Sequence, residues 1–296
     1  MGAQSLLSYG TTTTHLLSLK QLTTASLFDS STPSFLRITR FKSRQVNLAS
    51  NKNALRTQVL REVSPQKVYN VSADKHLNLE SRRKKLAVFV SGGGSNFKAI
   101  HAAMLDGSIL GDVVVLVTNK TGCGGAAYAR ENGIPILQFP KTKESEGLSA
   151  DDLVFALRKY DVDFILLAGY LKLIPVELVR QYPKRILNIH PSLLPAFGGK
   201  GYYGLKVHKA VIASGARYSG PTIHFVDEEY DTGRILAQRA VSVGAFDTPE
   251  ELAARVLHEE HLLYVDVVKA LCEDRVIWRD DGVPLIQSKE DPKLCT

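Results

Sequence analysis

The chain has 296 residues, 44% of them hydrophobic, and a formal net charge of +7 from 37 Lys and Arg against 30 Asp and Glu. Such a composition is ordinary for a globular protein, and no stretch reaches the roughly 18 consecutive apolar residues that a membrane-spanning helix needs. The charge is unevenly spread: residues 1–60 hold seven basic residues (Lys20, Arg37, Arg40, Lys42, Arg44, Lys52, Arg56) and one acid, Asp29, whereas from Leu86 onward there are 23 basic and 26 acidic residues. A surface with that balance lacks the electrostatic footprint of a polyanion binder, which sets DNA and RNA aside as ligands.

The first 60 residues are rich in Ser and Thr ("TTTTH", "LTTAS", "DSSTPS"), poor in acids, and without the continuous apolar run of a secretory signal. That is the composition of an organelle transit peptide, leaning to a plastid over a mitochondrion, with the import machinery as its partner. Residues 1–80 are therefore expected to be leader and disordered linker, 84–286 one domain, and 287–296 a short tail. Cys123, Cys272 and Cys295 follow no metal-ligand spacing and no paired framework, which predicts reduced thiols.

From residue 85 short apolar runs alternate with amphipathic stretches. "LAVFVS", "DVVVLVT", "IPILQF", "DFILLAG" and "RILNIH" predict buried strands; "NFKAIHAAML", "GGAAYAREN", "ADDLVFALRKY" and "PVELVRQY" between them carry helical spacing. Strands alternating with helices predict an α/β fold, a Rossmann-like open and mostly parallel sheet with helices on both faces. Beyond residue 215, "RYSGPTIHFVD" and "GRILAQRAVSV" predict an antiparallel pair added at the sheet edge. A long amphipathic helix follows over 248–274, N-capped by Thr248, and "VIWRDDGVPLIQS" predicts a short strand or hairpin.

Ligands of open α/β sheets sit outside the carboxyl ends of the strands. Three segments should meet there: "SGGGSN" (91–96), "AGYLKLIP" (168–175), and the end of "ILNIHPSLLP" (186–195). Strand, glycine turn and helix start in "VFVSGGGSNFKAI" leave free backbone N–H groups at a helix N-terminus, which suits a phosphate. Gly92 and Gly94 fit the first two glycines of a dinucleotide fingerprint, but Phe97 stands where the third belongs. The next strand ends in Thr118-Asn119-Lys120, without the acid that holds a ribose hydroxyl. A monophosphate fits better than NAD.

In "NIHP", residues i and i+2 of a strand project to one face, so Asn188 and His190 point together. Pro191 then turns the chain away. A fixed amide donor beside an imidazole suits attack on a carbonyl, but no protein nucleophile accompanies them, since Ser192 follows His190 too closely. Asp231, in the turn before Gly233, reads equally as turn chemistry or as a carboxylate that orients and charges His190.

The string "NIHPSLLP", followed by a strand and "YDTG", resembles the folate-dependent formyltransferases, and "SGGGSN" after the first strand is similar to the branch acting on phosphoribosylglycinamide. The resemblance runs over about residues 84–280. It implies formyl transfer from the co-substrate 10-formyltetrahydrofolate to the amine of phosphoribosylglycinamide, with small molecules as partners and no metal. It further implies Asn188, His190 and Asp231 as catalytic residues, and Gly93, Gly94, Ser95 and Asn96 as the phosphate loop. Glu260 would hold the glycinamide end, and the folate would lie against Tyr170, Leu171, Lys172, Leu173, Val226, Asp227, Glu228 and Asp231. "AFGGKGYYGLKV", between Pro195 and His208, is longer than the compact form of the family, which leaves the shape of that loop and the pairing of His208 open. Formyltetrahydrofolate hydrolase is the enzymatic alternative, and would carry a regulatory module before the first strand. Methionyl-tRNA formyltransferase would extend well past the long helix into a second domain. A folate- or nucleotide-binding regulator is the non-enzymatic alternative, and it need not keep Asn188, His190 and Asp231 together.

Overall fold

The first strand, β1 (Lys84–Val90), is buried from Leu86 onward, and so it lies in the middle of the sheet, as an unbroken apolar run requires. The structure is a computed structural model and describes residues 82–141, 147–291 and 293–295; the expected leader and linker over 1–80 lie outside them. Four more strands run parallel to β1: β2 (Gly111–Thr118), β3 (Ile136–Gln138), β4 (Phe164–Leu167) and β5 (Ile186–His190). Two antiparallel strands, β7 (Thr222–Phe225) and β8 (Ile235–Gln238), complete the order β3-β2-β1-β4-β5-β7-β8. The strand order reverses between β1 and β4, and the crevice at that switch point is where such a sheet opens to ligands.

Helices cover both faces, as expected. On one face α1 (Ser95–Leu105), α2 (Gly124–Glu131) and α6 (Pro249–Cys272) pack through Phe97, Ile100, Ala126, Ala129, Tyr264 and Val267. On the other, α3 (Ala150–Lys159) and α4 (Val176–Gln181) pack through Leu153, Leu157 and Leu178. The α6 start is fixed by a capping box in which the Thr248 hydroxyl accepts from the Glu251 N–H and the Glu251 carboxylate accepts from the Thr248 N–H. In α3, Ser149 caps the first turn, Asp151 and Asp152 sit in it, and Arg158 and Lys159 close the last, complementing the helix dipole at both ends.

The structure departs from the sequence expectations in three places. Each long C-terminal strand is divided: β6 (Tyr218–Ser219) and β9 (Val241–Ser242) leave the main sheet and pair with each other. The break falls at Gly220-Pro221, where Gly220 has φ 140° and a Cβ would run into the Arg239 carbonyl oxygen; Pro221 then has no N–H for a ladder. A helix unsigned by the sequence pattern, α5 (Leu205–Ser214), follows the glycine-rich loop and ends at Gly215 in the left-handed conformation. It packs Val207 and Val211 against Leu252 and Val256 of α6 in a small separate core. Finally, β10 (Val276–Trp278) and β11 (Pro284–Ile286) form the expected hairpin, but Cys295 returns to bridge Gln287, so the stretch expected to be a free tail pairs back beside it. Among the described residues no helix is long and apolar enough to cross a membrane.

Candidate active site

A cavity of about 430 Å³ opens at the carboxyl ends of β1, β4 and β5. Its walls are Gly92–Asn96, the segment Leu167–Ile174, Asn188–Pro191, the loop before α5, and Ala253, Leu257 and Glu260 of α6. The three segments expected to converge do so. They meet because consecutive parallel strands all finish on the same edge, so residues 90 or more positions apart in sequence share one crevice.

The floor is built by strand register. Asn188 and His190 leave β5 on one face, and in the antiparallel pairing Asn188 stands opposite His224 of β7. His224 was not singled out by sequence reasoning; the alternation in "TIHF" placed beside "ILNIH" is the signal that would have found it. The ring nitrogens assign their own protons. His224 Nδ1–H donates to the Phe225 carbonyl at 2.9 Å, which leaves Nε2 bare to accept from the Asn188 amide at 3.1 Å. His190 Nε2–H donates to the Phe197 carbonyl at 2.9 Å, so the bare Nδ1 faces Asp231 Oδ2 at 3.4 Å.

Asp231 is held where the turn needs it. It adopts φ 58°, a left-handed conformation Asp tolerates, and a Cβ two residues on at Gly233 would collide with the Phe225 carbonyl oxygen, so only glycine closes this turn. Its carboxylate accepts from the Gly199 N–H at 2.9 Å and from Asn188 at 3.4 Å. Burial raises the Asp231 pKa, but the neighbouring His224 and His190 and the Gly199 N–H outweigh it, and the net direction is down. His190 is held below its ordinary value, chiefly because it is buried, with Asp231 and the Phe197 carbonyl opposing. The resting site is therefore a carboxylate facing a neutral imidazole whose bare nitrogen is poised to take a proton.

The glycine loop divides its labour. Gly94 has φ 72° and caps α1 without a side-chain cap, and a Cβ there would stand 2.8 Å from Gly125 Cα. Gly94 is therefore required for backbone packing of the loop on α2. Gly92 and Gly93 are exposed with open space around a Cβ position, so they, with Ser95, present the backbone to a ligand. The first turn of α1 carries no acid, and its leading N–H groups have no partner within the helix. Asn96 is buried and donates to Glu260 Oε2 at 2.7 Å, while its own Oδ1 is buried without a partner. Burial of Glu260 raises its pKa to about 7 against the opposing pull of the Asn96 hydrogen bond.

The expected folate residues are distributed unequally. Leu171, Lys172 and Leu173 line the cavity and are exposed, and Lys172 is the one Lys or Arg among its lining residues. Tyr170 also lines it, but its hydroxyl donates to the Phe139 carbonyl and its ring packs edge-on to Phe89. Val226 lines the wall; Asp227 and Glu228 do not. The Asp227 carboxylate accepts from the Thr232 hydroxyl and the Glu229 N–H, stabilising the turn, and Glu228 pairs with Arg180 at the surface. Glu229 and Tyr230, in the same stretch from Val226 to Asp231, face the cavity.

A sheet with this switch point, a glycine loop at one end of its crevice and an Asn–His–Asp floor at the other defines a class of group-transfer enzyme. The chain belongs to the formyl transferase family, whose model matches residues 84–268. It is 72% identical over 231 residues to the chloroplastic phosphoribosylglycinamide formyltransferase of Arabidopsis thaliana, covering 77% of this chain and 78% of that one. It is 76% identical over 212 residues to the chloroplastic phosphoribosylglycinamide formyltransferase of Vigna unguiculata, covering 71% and 68%. Among solved structures, glycinamide ribonucleotide transformylase 1 from Symbiobacterium toebii superposes with a TM-score of 0.65 at 33% identity, over 73% of this chain and all of that one.

Proposed function

We propose that the chain transfers the formyl group of 10-formyltetrahydrofolate to the amine of phosphoribosylglycinamide, a step of purine synthesis. The observation that carries the reading is one cavity with an anion-receptive glycine loop at one end and the Asn188, His190 and Asp231 cluster on its floor. The acceptor's phosphate would lie on Gly93, Ser95 and the start of α1, its polar body would reach Asn96 and Glu260, and the folate would lie against 171–174, Val226 and Tyr230. The amine attacks the formyl carbon, forming one C–N bond; the bond to N10 of the folate then breaks. His190 takes the amine proton at Nδ1, becomes an imidazolium against Asp231, and returns the proton to N10, so charge and atoms balance without a further reactant. Asn188 supplies an N–H to the oxyanion by giving up its longer contact, the one to Asp231.

Three plant relatives bear the word chloroplastic in their names, and the Ser/Thr-rich, acid-poor leader suits that destination; we read it as a plastid address. The test of the reaction is release of tetrahydrofolate from 10-formyltetrahydrofolate, followed with and without phosphoribosylglycinamide. Release that needs the acceptor supports transfer. Equal release in its absence would assign the hydrolase reaction instead.

A further inference from the structure

His208 stands on α5 and lines the same cavity, on a different wall from the Asn188, His190 and Asp231 floor. It is 4% exposed. Among the described residues neither of its ring nitrogens makes a hydrogen bond, and Nδ1 is completely buried without a partner. A buried histidine normally satisfies at least one nitrogen, so the nitrogen that is not walled off is left for a group that enters the cavity. With Nδ1 walled off, the proton belongs on Nε2, because an N–H sealed inside protein with no acceptor is the rarer and costlier arrangement.

The neighbourhood says what kind of group would meet it. α5 packs on α6 through Val207 and Val211 against Leu252 and Val256, and Glu260 lies one turn beyond Val256 on the same face of α6. This wall thus presents an N–H donor and a carboxylic group to the cavity, and Asn96 Oδ1, the other buried and unpartnered cavity atom, adjoins Glu260. A donor set beside acceptors fits hydroxyl and phosphate oxygens, which accept and, as hydroxyls, also donate. Burial, reinforced by the neighbouring His190, holds His208 below the usual histidine range, so it meets such a ligand as a neutral donor.

We propose that His208 is a binding residue for the acceptor substrate, donating its Nε2–H to a sugar or phosphate oxygen of the phosphoribosyl group. This rests on the reaction proposed above. The test uses the full chain and three variants. His208→Phe keeps a buried ring without a donor, His208→Gln keeps a donor where Nε2 stood, and His208→Asn offers one only where Nδ1 stood. KM for phosphoribosylglycinamide should rise about five- to tenfold in the Phe and Asn variants and stay within about twofold of wild type in Gln, the worth of one neutral hydrogen bond. KM for 10-formyltetrahydrofolate should not move. Ribose 5-phosphate, titrated calorimetrically, carries the sugar and phosphate alone and should lose affinity by the same factor in the same two variants. A His208→Phe protein with wild-type acceptor KM overturns the assignment, as do equal rises in both KM values that track a lowered melting temperature, which is the signature of packing alone. Unchanged ribose 5-phosphate affinity overturns it as well, since the contact would then lie outside the phosphoribosyl group. A wild-type chain without acceptor-dependent turnover would instead remove the reaction reading, a different result from an active wild type with an indifferent His208→Phe.

Discussion

Replacing Asp231 by asparagine removes one negative charge from the floor of the site and almost no volume. In the folded protein the asparagine carbonyl can still accept from the Gly199 N–H, now 2.9 Å from Asp231 Oδ2, so the cost in stability should be about 1 kcal/mol, a fall of roughly 2–4 °C in Tm for a domain of this size. The kinetic cost is larger. As the amine attacks, His190 becomes an imidazolium with its Nδ1 3.4 Å from the position of Oδ2. In a medium of effective dielectric about 20, a full charge pair at that separation is worth about 5 kcal/mol. If half of the charge has developed at the transition state, the loss is about 2.5 kcal/mol, or roughly a hundredfold in kcat. KM for both substrates should change little, because the charge pair exists only during transfer. Steady-state kinetics and a thermal melt on one preparation decide the matter. A folded Asp231→Asn protein with wild-type kcat refutes the reasoning, and so does a rate loss wholly explained by unfolded protein. Combined with His190→Ala, the effect should be less than additive, since the two groups act as a unit.

Two further outcomes follow from the walls of the cavity. Gly93→Ala, placed in open space, should fold with an unchanged melt and raise KM for phosphoribosylglycinamide alone, whereas Gly94→Ala, at φ 72° and against Gly125, should lower Tm by an amount that Gly93→Ala does not; equal melts for both would contradict the packing role of Gly94. For Glu260, a folded pKa of about 7 against an ordinary 4.5 means that the native state holds a proton the unfolded chain has lost. Stability therefore declines as pH rises from about 4.5 to 7, and Glu260→Gln, which stays neutral, should flatten the dependence of Tm on pH in that window; an unaltered slope would exclude Glu260 as its source.

What the sequence determined by itself was everything carried by short-range periodicity and by motif. The five parallel strands, the α6 cap at Thr248, and the joint projection of Asn188 and His190 are local consequences of alternation, capping chemistry and the pleat, and they stand in the structure where the residues predict them. The resemblance of "NIHPSLLP" and "SGGGSN" to one family rested on the same local strings, which the family match over residues 84–268 bears out. The tertiary structure alone decided what depends on partners distant in the chain. His224 joins the site because antiparallel register sets it opposite Asn188, and register is a property of two strands. Gly94 is needed because α2 brings Gly125 against it, and Asp227 and Glu228 turn away from the cavity because Thr232 and Arg180 take their carboxylates. Helix α5 was hidden by the glycines ahead of it, since its stability comes from burying Val207 and Val211 against α6 more than from intrinsic propensity. That packing also encloses His208, so the same long-range contact that makes the helix leaves a buried imidazole in the cavity wall without a protein partner.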